Sequence, residues 1–101
     1  MIKIIVKKNN YIDSVTIKGH ANYNDYGKDI VCAAVSSISL TTCNAIMSIE
    51  DTIICNDKSG LLEIRVKENT DINQKLLNNM LEMLNELKNQ YPKNIEIRNE
   101  E

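Results

Sequence analysis

Phenylalanine and tryptophan are absent from this chain of 101 residues, which has a single histidine, a single proline, three glycines, three cysteines and four tyrosines. No apolar run approaches the roughly 20 residues that span a bilayer, and no basic leader precedes an apolar segment, so neither a membrane partner nor a secretory signal is expected. Three cysteines, an odd number with no Cys-x-x-Cys spacing, exclude a secreted disulfide framework and leave free thiols and a cytoplasmic location as the expectation. One histidine without paired ligand spacing makes no zinc motif. No phosphate loop, dinucleotide fingerprint or metalloprotease motif occurs either, so neither metal nor cofactor is expected. The 12 basic and 14 acidic side chains give a net charge of -2, and the basic ones are scattered, which excludes a nucleic-acid groove.

What is present suits one small domain over residues 1–101, with 43% hydrophobic and 26% charged residues, long enough to bury a core without a metal or disulfide staple. Apolar residues alternate over residues 2–7 and again over 12–19, which predicts a hairpin turning at Lys8-Asn9-Asn10. Between Asp29 and Glu50 there is no glycine or proline. Val31, Val35, Ile38, Ala45, Ile46 and Ile49 recur there at helical spacing behind an Asp29 cap. The other side of that helix is crowded with serine and threonine, which fits close packing or a solvated face equally.

A second hairpin is predicted over residues 52–66, turning across Asn56-Asp57-Lys58-Ser59-Gly60, with Leu62, Ile64 and Val66 inward. A second helix over about 71–90 follows Thr70 as its cap and stops at Pro92. Its apolar stripe runs through Ile72, Leu76, Leu77, Met80, Leu81, Leu84 and Leu87, with Met80 and Met83 as core filling. A last strand spans 94–98. The order β-β-α-β-β-α-β predicts an α+β sandwich, a mostly antiparallel sheet with two main helices against it.

The scarce residues crowd together. Gly19, the only histidine (His20), Gly27 and Cys32 fall within fourteen residues. Cys32 lies in the first turn of the long helix, where unpaired N–H groups and the positive end of the helix dipole favour a thiolate, so an unusually acidic thiol is expected. A loop of about eight residues could fold His20 over the helix start and pair it with the sulfur for acyl transfer. Helix-start N–H groups would then stabilise the oxyanion. Asp29 could orient the histidine, and Ser36, one turn beyond Cys32, could hydrogen-bond within the site. Tyr23 and Tyr26 in the polar loop could touch a ligand. The bland reading has Cys32 as a small core hydrophobe, Asp29 as a plain cap and Ser36 as a packing residue. Cys43, about 16 Å further along the helix axis, is too far from Cys32 to share a metal or a disulfide with it, and Cys55 reads as core.

The elements Gly19-His20-Ala21, Tyr26-Gly27 and Asp29-Ile30-Val31-Cys32-Ala33-Ala34-Val35-Ser36 resemble the ribosomal-processing cysteine protease family, Prp. The resemblance implies a homodimeric α/β sandwich of about this size. It also implies endoproteolysis of the N-terminal extension of the large-subunit ribosomal protein bL-twenty-seven in bacteria, in support of ribosome assembly. Carried over, Cys32 would be the nucleophile and His20 its general base. Gly19 would allow close backbone approach, and Asp29 and Ser36 would support the site. The loop with Tyr23, Tyr26 and Gly27 would order over the substrate. Two alternatives remain: a non-catalytic dimeric module that binds a ribosomal protein, and a thiol redox switch at Cys32.

Overall fold

Alternation in the first strand sets the architecture: Ile2, Ile4 and Val6 are buried while Lys3 and Lys7 face solvent. The computed structural model describes residues 1–21, 24 and 29–101. Strands β1 (Ile2–Asn9) and β2 (Tyr11–Gly19) form an antiparallel hairpin whose turn uses Asn10 at φ 66°, a left-handed conformation that asparagine tolerates well. Helix α1 (Ile30–Ile49) follows, then the hairpin β3 (Ile53–Lys58) and β4 (Leu61–Val66), helix α2 (Asp71–Gln90) and β5 (Ile95–Glu100).

The five strands run in the order β3-β4-β2-β1-β5. Three neighbouring pairs are antiparallel, and β5 lies parallel to β1 with Ile95 opposite Ile2. The expected α+β sandwich with a mostly antiparallel sheet is the fold observed. One continuous core joins the inward strand residues to Val31, Val35, Cys43 and Ile46 of α1 and Leu77, Met80 and Leu84 of α2.

Each helix start is specified locally. Asp29 caps α1, its Oδ1 accepting from the N–H groups of Val31 and Cys32. At α2, the Thr70 hydroxyl accepts from the N–H of Asn73 while the Asn73 side chain accepts from the N–H of Thr70, a reciprocal capping box. Asn73 is wholly buried and also donates to Thr52 Oγ1 and the Glu68 carbonyl, so it knots the end of α1, β3 and the start of α2 together. Glu50 accepts from Thr52, Thr70 and Asn73 in the same knot.

Several local expectations shift. The second hairpin turns at Ser59-Gly60, because β3 continues through Asn56, Asp57 and Lys58 to pair with Leu61–Glu63. Met83 is 43% exposed, so of the two methionines only Met80 fills the core, and Ile72, in the first turn of α2, is 40% exposed rather than part of the buried stripe. Ile49 is exposed, Ile38 is half-buried, and Ser39 is buried on the stripe predicted to be apolar. Helix α1 is also apolar enough, by length and a mean hydropathy of 1.7, to cross a membrane. Interspersed serines and threonines keep its unbroken apolar runs short. Its buried stripe makes it the core helix of this domain.

The candidate active site

One end of the sheet collects the ends of several elements. Gly19 closes β2 at φ +98°, and a Cβ there would lie 2.5 Å from the Met1 carbonyl oxygen. Its N–H donates to the Gly60 carbonyl at 3.1 Å. Glycine is therefore demanded both by the backbone angle and by the approach of the Met1 carbonyl oxygen, and the residue that follows, His20, is delivered beside the start of α1.

There His20 Nδ1 stands 3.7 Å from Asp29 Oδ2, with the Asp29 side chain 2% exposed and that of His20 36% exposed. One ligand-capable atom from each of His20, Asp29 and Cys32 lies within 4.8 Å of the other two. The Ala21 N–H donates to Cys32 Sγ at 3.3 Å, and Asn94 Nδ2 holds the Ala21 carbonyl at 2.9 Å. The Asn24 N–H donates to Asp29 Oδ2 at 3.5 Å.

The electrostatics depart from the expected acidic thiol. Burial pushes the Cys32 thiol up, the Ala21 N–H pulls it down, and the adjacent Asp29 carboxylate pushes it up again, for a net rise. Burial is the larger cause, and the cap gives no relief: the helix-start N–H groups that were expected to favour a thiolate are already bound to Asp29 Oδ1, at 2.9 Å for Val31 and 3.0 Å for Cys32. The same occupancy removes them as oxyanion donors. The N–H directed at the sulfur is instead that of Ala21.

A cavity of about 910 Å³ opens from this cluster, walled by α1, β2 and the β3–β4 turn. Its apolar lining includes Ile17, Val35, Leu40 and Leu62, while Ser36 stands exposed on its wall. Among the described residues no hydrogen bond joins Ser36 to His20, Asp29 or Cys32. Ser39, seven residues beyond Cys32 on the same helical stripe, lines the cavity too, and its buried hydroxyl has no hydrogen-bond partner among the described residues. Spacing from Cys32 could have singled it out, whereas Asn94 and the Gly60 turn carried no such signal. Tyr23, Tyr26 and Gly27 lie outside the described residues. Cys43 is buried and Cys55 half-buried against the core, as expected. Burial first, then the neighbouring Cys55, pushes the Cys43 thiol up.

Residues 1–96 match the family model described as cysteine protease Prp. The chain belongs to the Prp cysteine protease family. A relative from Staphylococcus aureus, the ribosomal processing cysteine protease Prp, is 33% identical over 100 residues, spanning 95% of this chain and 94% of that one. Among solved structures, the S. aureus Prp protease with a covalently linked product peptide superposes with a TM-score of 0.94 at 31% identity, covering 99% of this chain and all of the other. The same protease with a substrate peptide gives a TM-score of 0.83 at 28% identity over the same coverage. Family and fold together make this chain a cysteine peptidase.

Proposed function

We propose that the chain is the endopeptidase that removes the N-terminal extension of the bacterial large-subunit ribosomal protein bL-twenty-seven in the cytoplasm, with Cys32 as nucleophile and His20 as general base. The observation that carries the reading is the convergence of His20, Asp29 and Cys32 at the mouth of an apolar-walled cavity. The S. aureus relative named for ribosomal processing and its peptide-bound structures supply the substrate class.

Burial and Asp29 push the Cys32 thiol up, so in this reading His20 takes its proton as Sγ attacks the scissile carbonyl. The C–S bond forms, and the carbonyl oxygen becomes an oxyanion. The Ala21 N–H, already aimed at the sulfur, is the backbone donor placed to receive that charge. Asp29 Oδ2, facing His20 Nδ1, stabilises the imidazolium. The imidazolium returns the proton to the leaving amine, the C–N bond breaks, and His20 then activates the water that hydrolyses the thioester. Gly19 fixes the position of His20, Ser36 borders the substrate, and the loop bearing Tyr23, Tyr26 and Gly27 supplies further substrate contacts.

A peptide spanning the extension junction, followed by mass spectrometry, tests the assignment. Cys32→Ser or His20→Ala should lower kcat/KM by roughly 10³-fold or more. Unimpaired cleavage by either variant rejects these roles, and peptide binding without cleavage by the intact protein selects a non-catalytic module. Burial and Asp29 disfavour the third reading, a redox switch, because oxidants attack thiolates rather than thiols.

We also propose a homodimer formed through α1. That helix carries no charged residue over its 20 positions, yet Ala33, Ser37, Thr41, Asn44, Met47 and Ser48 are exposed. A face of this kind is unusual for a solvated helix, and a second copy would bury it. Asn44→Lys combined with Met47→Glu should yield a monomer by light scattering, and an unchanged dimer would exclude this surface.

A further inference from the structure

The His20 Nδ1 to Asp29 Oδ2 distance of 3.7 Å is too long for a hydrogen bond, yet it suits two ligands sharing a metal ion. With metal–ligand bonds of about 2.0–2.3 Å and tetrahedral angles, neighbouring donor atoms around zinc stand roughly 3.4–3.6 Å apart. The third donor, Cys32 Sγ, closes the triangle within 4.8 Å. From these distances we infer that His20, Asp29 and Cys32 form a binding site for Zn²⁺, which occupies the catalytic groups and holds the peptidase in a reversible inactive state.

The donor set is one imidazole nitrogen, one carboxylate oxygen and one thiolate sulfur, all ligands that zinc accepts. Asp29 is preorganised for the role: Oδ1 is fixed by the N–H groups of Val31 and Cys32, and Oδ2, which also accepts the Asn24 N–H at 3.5 Å, faces His20 Nδ1. The cavity opens directly onto the cluster, so the fourth position is filled by water or a substrate carbonyl. Sequence spacing gave no zinc motif because the three ligands come from the end of a strand, a cap and a helix turn, with only Asp29 and Cys32 close in sequence. On binding, the Cys32 S–H bond breaks, an S–Zn bond forms and the proton leaves to solvent. The metal thereby removes both the nucleophile and the base until a chelator or a competing ligand takes it away.

The inference rests on the peptidase reading only for its consequence on activity, so the metal is tested first on the protein alone with Co²⁺ as a spectroscopic stand-in for Zn²⁺. Titration should give a thiolate-to-cobalt charge-transfer band and intense four-coordinate visible bands that saturate at one equivalent and are displaced by Zn²⁺. Cys32→Ser should abolish the charge-transfer band. Asp29→Asn, which keeps a good helix cap, should weaken Zn²⁺ binding at least about tenfold, the scale seen when even an outer-shell carboxylate is lost. The double variant Cys43→Ala/Cys55→Ser should retain the spectrum. Zinc should then block cleavage of the junction peptide, and EDTA should restore it. A charge-transfer band that survives Cys32→Ser, or disappears with the Cys43/Cys55 pair, overturns the inference. So does cleavage that proceeds unchanged in excess Zn²⁺. A Cys32-dependent band in a protein that cleaves nothing upholds the site while rejecting the peptidase.

Discussion

Asp29 Oδ1 accepts the N–H of Cys32 at 3.0 Å, so the carboxylate that caps helix α1 also sits beside the Cys32 thiol and opposes its ionisation. A helix start that would otherwise attract a thiolate is neutralised by its own cap.

The pH dependence of alkylation should expose this arrangement. Burial and Asp29 raise the Cys32 thiol, so the midpoint for iodoacetamide reaction in the free protein should fall at or above the ~8.5 of an ordinary thiol. In a His20→Ala background, Asp29→Asn should lower that midpoint. A midpoint near 6 in the unmodified protein would show a preformed thiolate–imidazolium pair instead.

Two glycines should respond differently to the same added methyl group. Gly19→Ala meets both a positive φ and the Met1 carbonyl oxygen at 2.5 Å, whereas Gly60 has φ +75° with nothing within 4 Å. Denaturant unfolding should show a loss of about 1 kcal/mol at Gly60, and roughly 2–3 kcal/mol at Gly19 together with lost peptidase activity. Equal losses would mean that the Met1 contact is relieved without displacing β1.

The Glu50 knot should govern acid stability. Hydrogen bonds from Thr52, Thr70 and Asn73 hold its carboxyl below the usual range. A lowered folded-state value contributes stability that is present above the unfolded value near ~4.3 and lost as pH falls through the folded one. Glu50→Gln should flatten the decline of thermal stability below about pH 4.5. Asn73→Ala, which strands several buried partners, should cost about 2–3 kcal/mol at neutral pH. An unaltered acid profile in Glu50→Gln would assign acid unfolding to other carboxylates.

Ser39 offers the opposite sign. Its hydroxyl is buried without a partner among the described residues, and removing an unsatisfied buried polar group is favourable by about 1 kcal/mol. Ser39→Ala should therefore raise Tm by roughly 4–8 °C for a domain of this size. A lower Tm would reveal a bound water that the hydroxyl holds.

Much of this was legible in the sequence, for reasons that differ by residue. Period-two and helical spacing expose the element order because each element buries one face, and Thr70 and Asp29 announce their helices through local hydrogen bonding. His20 and Cys32 stand out because their residue types are rare in this chain. The parallel pairing of β5 with β1 carries no local signal, since it depends on contacts across the whole chain. Met83 misleads because it neighbours the α2 stripe without entering it, and Asn73 because a buried amide betrays itself only through its partners. The raised Cys32 thiol has no local signal because burial, its largest cause, is set by the packed fold, and the Asp29 cap that marks the helix start also occupies the N–H groups there.

Asn94 reaches across 73 positions to hold the Ala21 carbonyl, and its own carbonyl receives the N–H of Ile2. The peptide that presents Ala21 to the sulfur is therefore fastened by the connection into the last strand. During synthesis this fastening cannot form until nearly the whole domain has emerged, and long-range closure of this kind is slow compared with hairpin or helix formation. The backbone donor to the Cys32 sulfur is thus set in place among the final events of folding.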